Sequence, residues 1–83
     1  MLTIYKYPLG IHTPLALPSS AQCLTVHVQE GTPMVWVLLE TEEPTITRRL
    51  FAIPTGDEIM YSLGRYIGTF QLTGLVFHVF EEA

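Results

Sequence analysis

The amino-acid sequence predicts an all-β domain: a compact antiparallel sandwich or small barrel of six to seven short strands with no long helix. Three observations carry this expectation. Apolar residues recur with strand period, and no segment sustains a helical one. The apolar runs are rich in β-branched and aromatic residues, which suit a pleated, half-buried surface. Six glycines and six prolines cut the 83 residues at short intervals, which leaves no room for a long helix. A chain of this length makes one domain, over 1–83.

Each element is set by its local pattern. Residues 2–7 (LTIYKY) alternate Leu2, Ile4 and Lys6 against Thr3, Tyr5 and Tyr7, as a strand does. Pro8, Pro14 and Pro18 interrupt the next stretch, so 11–17 reads as an edge strand. Residues 23–29 set Leu24, Val26 and Val28 against Cys23, Thr25, His27 and Gln29, a half-buried strand. Glu30-Gly31-Thr32-Pro33 is a turn, in which Gly31 can take a positive φ. Residues 34–40 (MVWVLLE) are apolar on both faces and belong at the centre of a sheet. After an acidic turn at 41–44, residues 46–53 (ITRRLFAI) send Arg49, Phe51 and Ile53 one way and Arg48, Leu50 and Ala52 the other. One of the two arginines faces solvent or an interface, and alternation alone leaves open which. Residues 54–57 are a turn, and 58–63 have room for one helical turn. Residues 66–72 and 75–81 complete a hairpin over Thr73-Gly74.

Composition narrows the function. Four Lys+Arg against eight Asp+Glu give a net charge of −4, and charged residues are 14 % of the chain, against roughly 25 % on average. Hydrophobic residues are 48 % and the mean hydropathy is +0.33. Such a chain has too much to bury to be disordered and too few cations for duplex DNA. A single cysteine excludes an internal disulfide and fits a reducing cytoplasm. The longest apolar run, 34–39, falls far short of the roughly 20 residues that span a bilayer. Lys6 and Pro8 stand where a signal peptide needs an apolar core. A soluble protein without a membrane partner, remaining where it is made, is therefore expected. A domain of this size buries only about 60–65 % of its unfolded surface. Apolar side chains are left over, and this predicts a homo-oligomer, a dimer first, with 11–17 or 75–80 supplying an edge contact.

No residue pattern names a reaction. The soft and imidazole ligands are Cys23, His12, His27 and His78. Cys23 and His27 share a face in strict alternation, about 13 Å apart along a strand, too far to hold one ion. No glycine-rich elbow accompanies Cys23 as a nucleophile, and the glutamates cluster in a turn and near the last strand's end, as solvated groups do. No catalytic residue, metal or cofactor is expected. An anion or nucleotide pocket is the best small-molecule option. Arg65 lies beside Gly64 and Tyr66, and Gly56, Gly64 and Gly68 leave backbone amides open to approach. With Arg49 these give the candidate ligand-binding set Arg49, Arg65, Tyr66, Gly56, Gly64 and Gly68: guanidinium for phosphate, ring for base, glycine for close approach.

Five stretches together carry a resemblance: TIYKYPL at 3–9, GTPMVWVLLE at 31–40, RLFAIPTG at 49–56, YIGTFQL at 66–72 and LVFHVFE at 75–81. As a set they resemble a family of short uncharacterised proteins of tailed bacteriophages and prophages, over nearly the whole chain. The resemblance supplies no catalytic residue. It implies a phage product acting in the cytoplasm of an infected bacterium. By analogy with small phage accessory proteins, the expected function is to counter a bacterial defence by stoichiometric, non-catalytic binding, with a nucleotide-type immune signal as first ligand. The alternatives are a protein–protein inhibitor of a host immune effector or nuclease, and a small virion or assembly component.

Overall fold

In the computed structural model, which describes residues 1–83, the strand-period runs become seven strands: β1 (Leu2–Pro8), β2 (His12–Pro18), β3 (Gln22–Gln29), β4 (Thr32–Glu40), β5 (Thr45–Pro54), β6 (Leu63–Leu72) and β7 (Leu75–Glu82). All pairings are antiparallel and fall into two sheets, ordered β1-β4-β3 and β2-β5-β7-β6. The sheets face one another as a sandwich, not a closed barrel. There is no helix: residues 58–63, which have room for one helical turn, are irregular backbone that runs into β6 at Leu63. That segment has to stretch across the sheet, and a helical turn would shorten its reach.

Two tight hairpins give the sandwich its corners. Glu30 (φ 51°) and Gly31 (φ 81°) join β3 to β4, and Thr73 (φ 49°) and Gly74 (φ 81°) join β6 to β7. Positive φ at both loop residues is what a type I′ turn demands, and its twist matches the strands it joins. Val35, Val37 and Leu39 of β4 point into the core, opposite Leu15, Leu17, Leu50, Ala52, Phe70 and Val79 of the other sheet. As expected, β4 is central in its sheet.

Two expectations need correction. Cys23 and His27 do not share a face. A bulge between Cys23 and Thr25 shifts the register, so that Cys23 and Val26 are both buried while His27 turns outward and stacks on Trp36 at 4.1 Å. The inserted residue lets two apolar side chains face the core where strict alternation would expose one of them. Residues 75–80 are not an edge either, because β7 lies between β5 and β6. The edges of that sheet are β2, as its prolines indicate, and β6.

The sheets approach most closely where β3 meets β6. A Cβ added to Gly68 would stand 2.9 Å from Val26 Cγ2. At one end of the sandwich Arg48 points inward, in the row of Leu50 and Ala52. Its Nε donates to Glu81 Oε2 (2.6 Å) and its Nη2 to Glu81 Oε1 (2.8 Å), while Nη1 donates to the carbonyls of Pro18 (3.0 Å) and Ala21 (2.7 Å). The two side chains keep only 13 % and 17 % exposure. Arg49 is the solvent-facing member of the pair.

Two substitutions probe these contacts. Arg48→Ala leaves the Glu81 carboxylate and two carbonyls without their donor, and should cost about 3 kcal/mol, the low end for breaking a buried pair because both partners keep some exposure. Urea denaturation monitored by Trp36 fluorescence measures it. Gly68→Ala should cost about 1–3 kcal/mol by overpacking. In the same assay, Gly68→Ala with Val26→Ala should lose clearly less than the two single changes together, since Val26 is the side chain in the way.

Candidate functional site

Topology makes the most distinctive surface of the molecule. In the sheet order β7 stands between β5 and β6, yet β6 follows β5 in the chain. The connection 55–62 must therefore cross β7. It crosses on the outer face, where it covers a second, smaller apolar cluster. Phe51 and Ile53, which alternation turns away from the main core, are 1 % and 8 % exposed. Tyr61 of the connection stacks on Phe51 at 4.1 Å, and His12 of β2 joins the cluster at 4.7 Å from Phe51 and 6.3 Å from Tyr61. Tyr66 tilts against Phe80 at 5.3 Å.

Between this crossover and the sheet is a cavity of about 310 Å³ lined by Ile53, Pro54, Thr55, Gly56, Asp57, Ile59, His78 and Phe80. Its floor is apolar and its rim polar. Hydrogen bonds brace it from behind. Thr55 N–H donates to the Val76 carbonyl (2.9 Å), as does its hydroxyl (3.3 Å). The Thr55 oxygen is then the acceptor for His78 Nε2–H (2.7 Å), and Nδ1 is left to accept from the Thr69 hydroxyl (3.3 Å). Tyr66 Oη donates in turn to Thr69 Oγ1 (2.5 Å). The line Tyr66–Thr69–His78–Thr55 has one consistent polarity, and it occupies both nitrogens of His78. That imidazole ties the crossover to β6 and offers no free lone pair to a reacting group. Gly56 and Asp57 complete the lining on the crossover side.

The structure scatters the candidate residues read from sequence. Gly56, at φ 92°, lines the cavity. Tyr66 lies beside it on Phe80. Arg49 is on the same outer face, opposite Pro14 in the register, with Phe51 and its stacked Tyr61 between it and Ile53. Arg65 sits in a register irregularity of β6, close enough to Cys23 for its charge to act on that thiol. Gly64 lies against β7: a Cβ there would be 2.9 Å from the Glu81 carbonyl oxygen. Gly68 faces Val26 in the interior. Its role is close packing between sheets, and its amide is not presented to an anion. Sequence reasoning missed Ile53, Thr55, Asp57, Ile59, His78 and Phe80. One signal was present: the connection after β5 carries Ile59, Met60 and Tyr61, which a solvated turn has no need of.

Elsewhere the chemistry is sparse. No three His, Cys, Asp or Glu side chains converge as a metal-holding group. A second cavity, of about 110 Å³, is the apolar mouth of the core between Leu9, Ile11, Pro33 and Phe77. No helix is long and apolar enough to cross a membrane. Cys23 is buried, and its pKa is raised first by that burial and then by the charge of Glu81, against smaller opposing effects of Arg48 and Arg65. The folded thiol therefore holds its proton at a pH where the unfolded one loses it. Stability from this group is full below the ordinary thiol value of about 8.5 and declines as the pH rises through the higher folded value. Cys23 should react with a thiol reagent at pH 8 far more slowly than in urea-unfolded chain, which absorbance of the released chromophore measures.

Comparison with known proteins gives a match over the full length of the chain. The model of a family described as a domain of unknown function (DUF7352) matches residues 1–83. No curated protein and no solved structure gives a match.

Proposed function

We propose that this chain, which belongs to the DUF7352 family, is a non-catalytic binding protein that holds the planar base of a nucleotide-type ligand in the cavity beneath the β5–β6 crossover. The observation that carries the reading is the build of that cavity: an apolar floor of Ile53, Ile59 and Phe80 under a rim that includes the Asp57 carboxylate. A flat heteroaromatic ring lies against Phe80, and its N–H edge donates to Asp57. The volume, about 310 Å³, is at the lower end of ligand pockets. It takes one ring system and not a dinucleotide. His78, with both nitrogens occupied, braces the wall, which favours holding a ligand over transforming it.

In this reading the protein is a phage accessory factor in the cytoplasm of an infected bacterium, and it withdraws a nucleotide-type immune signal by stoichiometric occupancy. A second reading rests on a different surface. The outer face of β1-β4-β3 carries Ile4, Met34, Trp36 and Leu38 without a covering layer, and such a face suits an inhibitor that caps a host effector or nuclease.

Thermal unfolding with a panel of nucleosides, mononucleotides and cyclic dinucleotides separates the two. A true ligand at a hundredfold excess over its Kd should stabilise by about 2.7 kcal/mol, a rise of roughly 10 °C or more in Tm. Asp57→Asn, an exposed change that spares the fold, should weaken binding about tenfold, and Arg65→Ala, which is outside the lining and acts on Cys23, should leave it unchanged. No shift with any base-bearing compound, together with stoichiometric recovery of a host protein that is lost on Trp36→Ala, would favour the inhibitor.

A further inference from the structure

We propose that a second copy of this chain docks on the β1 edge, antiparallel and centred on Ile4, so that two three-stranded sheets join into one six-stranded sheet. The inference is independent of the cavity and its ligand. It starts from the hydrogen-bond parity of β1. Thr41 N–H donates to the Met1 carbonyl at one end of the β1–β4 ladder, and Leu9 N–H donates to the Pro33 carbonyl at the other. In an antiparallel ladder alternate residues bond the neighbour, so the odd-numbered residues of β1 face β4. The N–H and C=O groups of Leu2, Ile4 and Lys6 therefore point out of the sheet edge.

The other edges of the sandwich are guarded and β1 is not. Pro14 and Pro18 interrupt the donors of β2, register irregularities between Leu63 and Gly68 break the β6 edge, and β3 and β6 pack against one another at Gly68. Soluble proteins protect a bare edge with proline, a bulge or an outward lysine. β1 has no proline before Pro8 and no bulge in its register. Its one charge, Lys6, leans away from the edge across the outer face to donate to Gln29 Oε1 at 2.7 Å. Both faces of the strand are open as well: Leu2 and Ile4 on the outer side are 65 % and 52 % exposed, and Tyr5 on the inner side is 45 % exposed.

A second copy completes this edge with matched groups. Centred on Ile4, the pairing sets Ile4 opposite Ile4 of the second copy and Leu2 opposite its Lys6. Each of these facing pairs exchanges both main-chain bonds. Thr3 then faces the second copy's Tyr5 on the inner side. Ladder length and charge together select this register, since centring on Thr3 leaves two bonded facing pairs in place of three and shifts toward Pro8 bring like charges together. Moving the centre to Tyr5 makes the two Lys6 side chains diagonal neighbours, and moving it to Lys6 sets them face to face, which is destabilising. Centred on Ile4 they stand about 14 Å apart along the strands. Because Leu2 pairs with Glu40 in each protomer, each Lys6 then shares a row on the outer face with Glu40 of the second copy. The interface is isologous, the usual form of a closed dimer.

Sedimentation equilibrium of the full chain across micromolar concentrations tests the proposal. The expected mass is twice 9.4 kDa. Ile4→Pro removes an N–H that bonds nothing within the protomer, so the strand can accept it. It should weaken the dimer on the order of thirtyfold, with the circular dichroism unchanged. A second measurement fixes the register. Mild oxidation of Ile4→Cys should give a disulfide-linked dimer, since the facing Cα atoms lie about 5.5 Å apart. Leu2→Cys should give none, and neither should the parent chain, whose Cys23 is buried. A monomer mass at every concentration, a dimer indifferent to Ile4→Pro, or cross-linking at residue 2 in place of residue 4 would each overturn the proposal.

Discussion

The guanidinium of Arg48 holds three separate parts of the chain at one end of the sandwich. It grips the Glu81 carboxylate of β7 with two parallel bonds, and with Nη1 it closes on two carbonyls that flank the β2–β3 connection. Removing these charges from water is costly, and the attraction offsets that cost only because the geometry is bidentate and the remaining donor is satisfied. An apolar pair of similar volume could give as much net stability. What such a pair cannot do is set register. β5 and β7 meet with Leu50 opposite Glu81. A slip of two residues would keep every side chain on its proper face while carrying the carboxylate out of reach of Arg48, whereas a row of leucines and valines would tolerate it.

The outer-face cavity depends on that register. The pairs Phe51–Phe80 and Ile53–His78 are fixed by it, and they supply the floor and back wall over which the crossover lies. The crossover itself is a consequence of strand order. Because β7 inserts between β5 and β6, the connection cannot be a tight turn. It runs over the sheet and buries Phe51 and Ile53, which would otherwise be an exposed apolar strip. One topological decision thus creates a second small core and a concave surface in a chain too short to spare residues for a separate lid.

The two sheets are unequal, and this bears on how the molecule meets others. The four-stranded sheet is covered on both faces, by the main core and by the crossover. The three-stranded sheet is covered on one face only, and β1 presents an unpaired backbone row at its margin. Exposed apolar side chains lie on both sheets, with Leu2, Ile4 and Tyr5 on β1 and Ile46, Tyr66 and Leu75 on the four-stranded sheet. The outer-face cavity and the bare β1 edge lie on different sheets.

Much of this was legible in the amino-acid sequence. Strand period, prolines and the two glycine turns determined an all-β antiparallel domain, a central β4 and a proline-marked edge at β2, because these depend on neighbours along the chain. Alternation sorted Arg48 from Arg49 but left open which faced inward, since that depends on Glu81, some thirty residues away. The bulge at Cys23 and the inward turn of Gly68 were hidden for the same reason: each answers to packing across the sandwich, between Val26 and β6. The candidate site was the least legible. Glycine and arginine suggested it through local chemistry, yet Gly64 and Gly68 are there to let strands come close. Phe80, His78 and Asp57 are brought together by a strand order that no local pattern encodes. Tertiary structure alone decided where the cavity lies and which edge stays bare, because both depend on which strand inserts between which others.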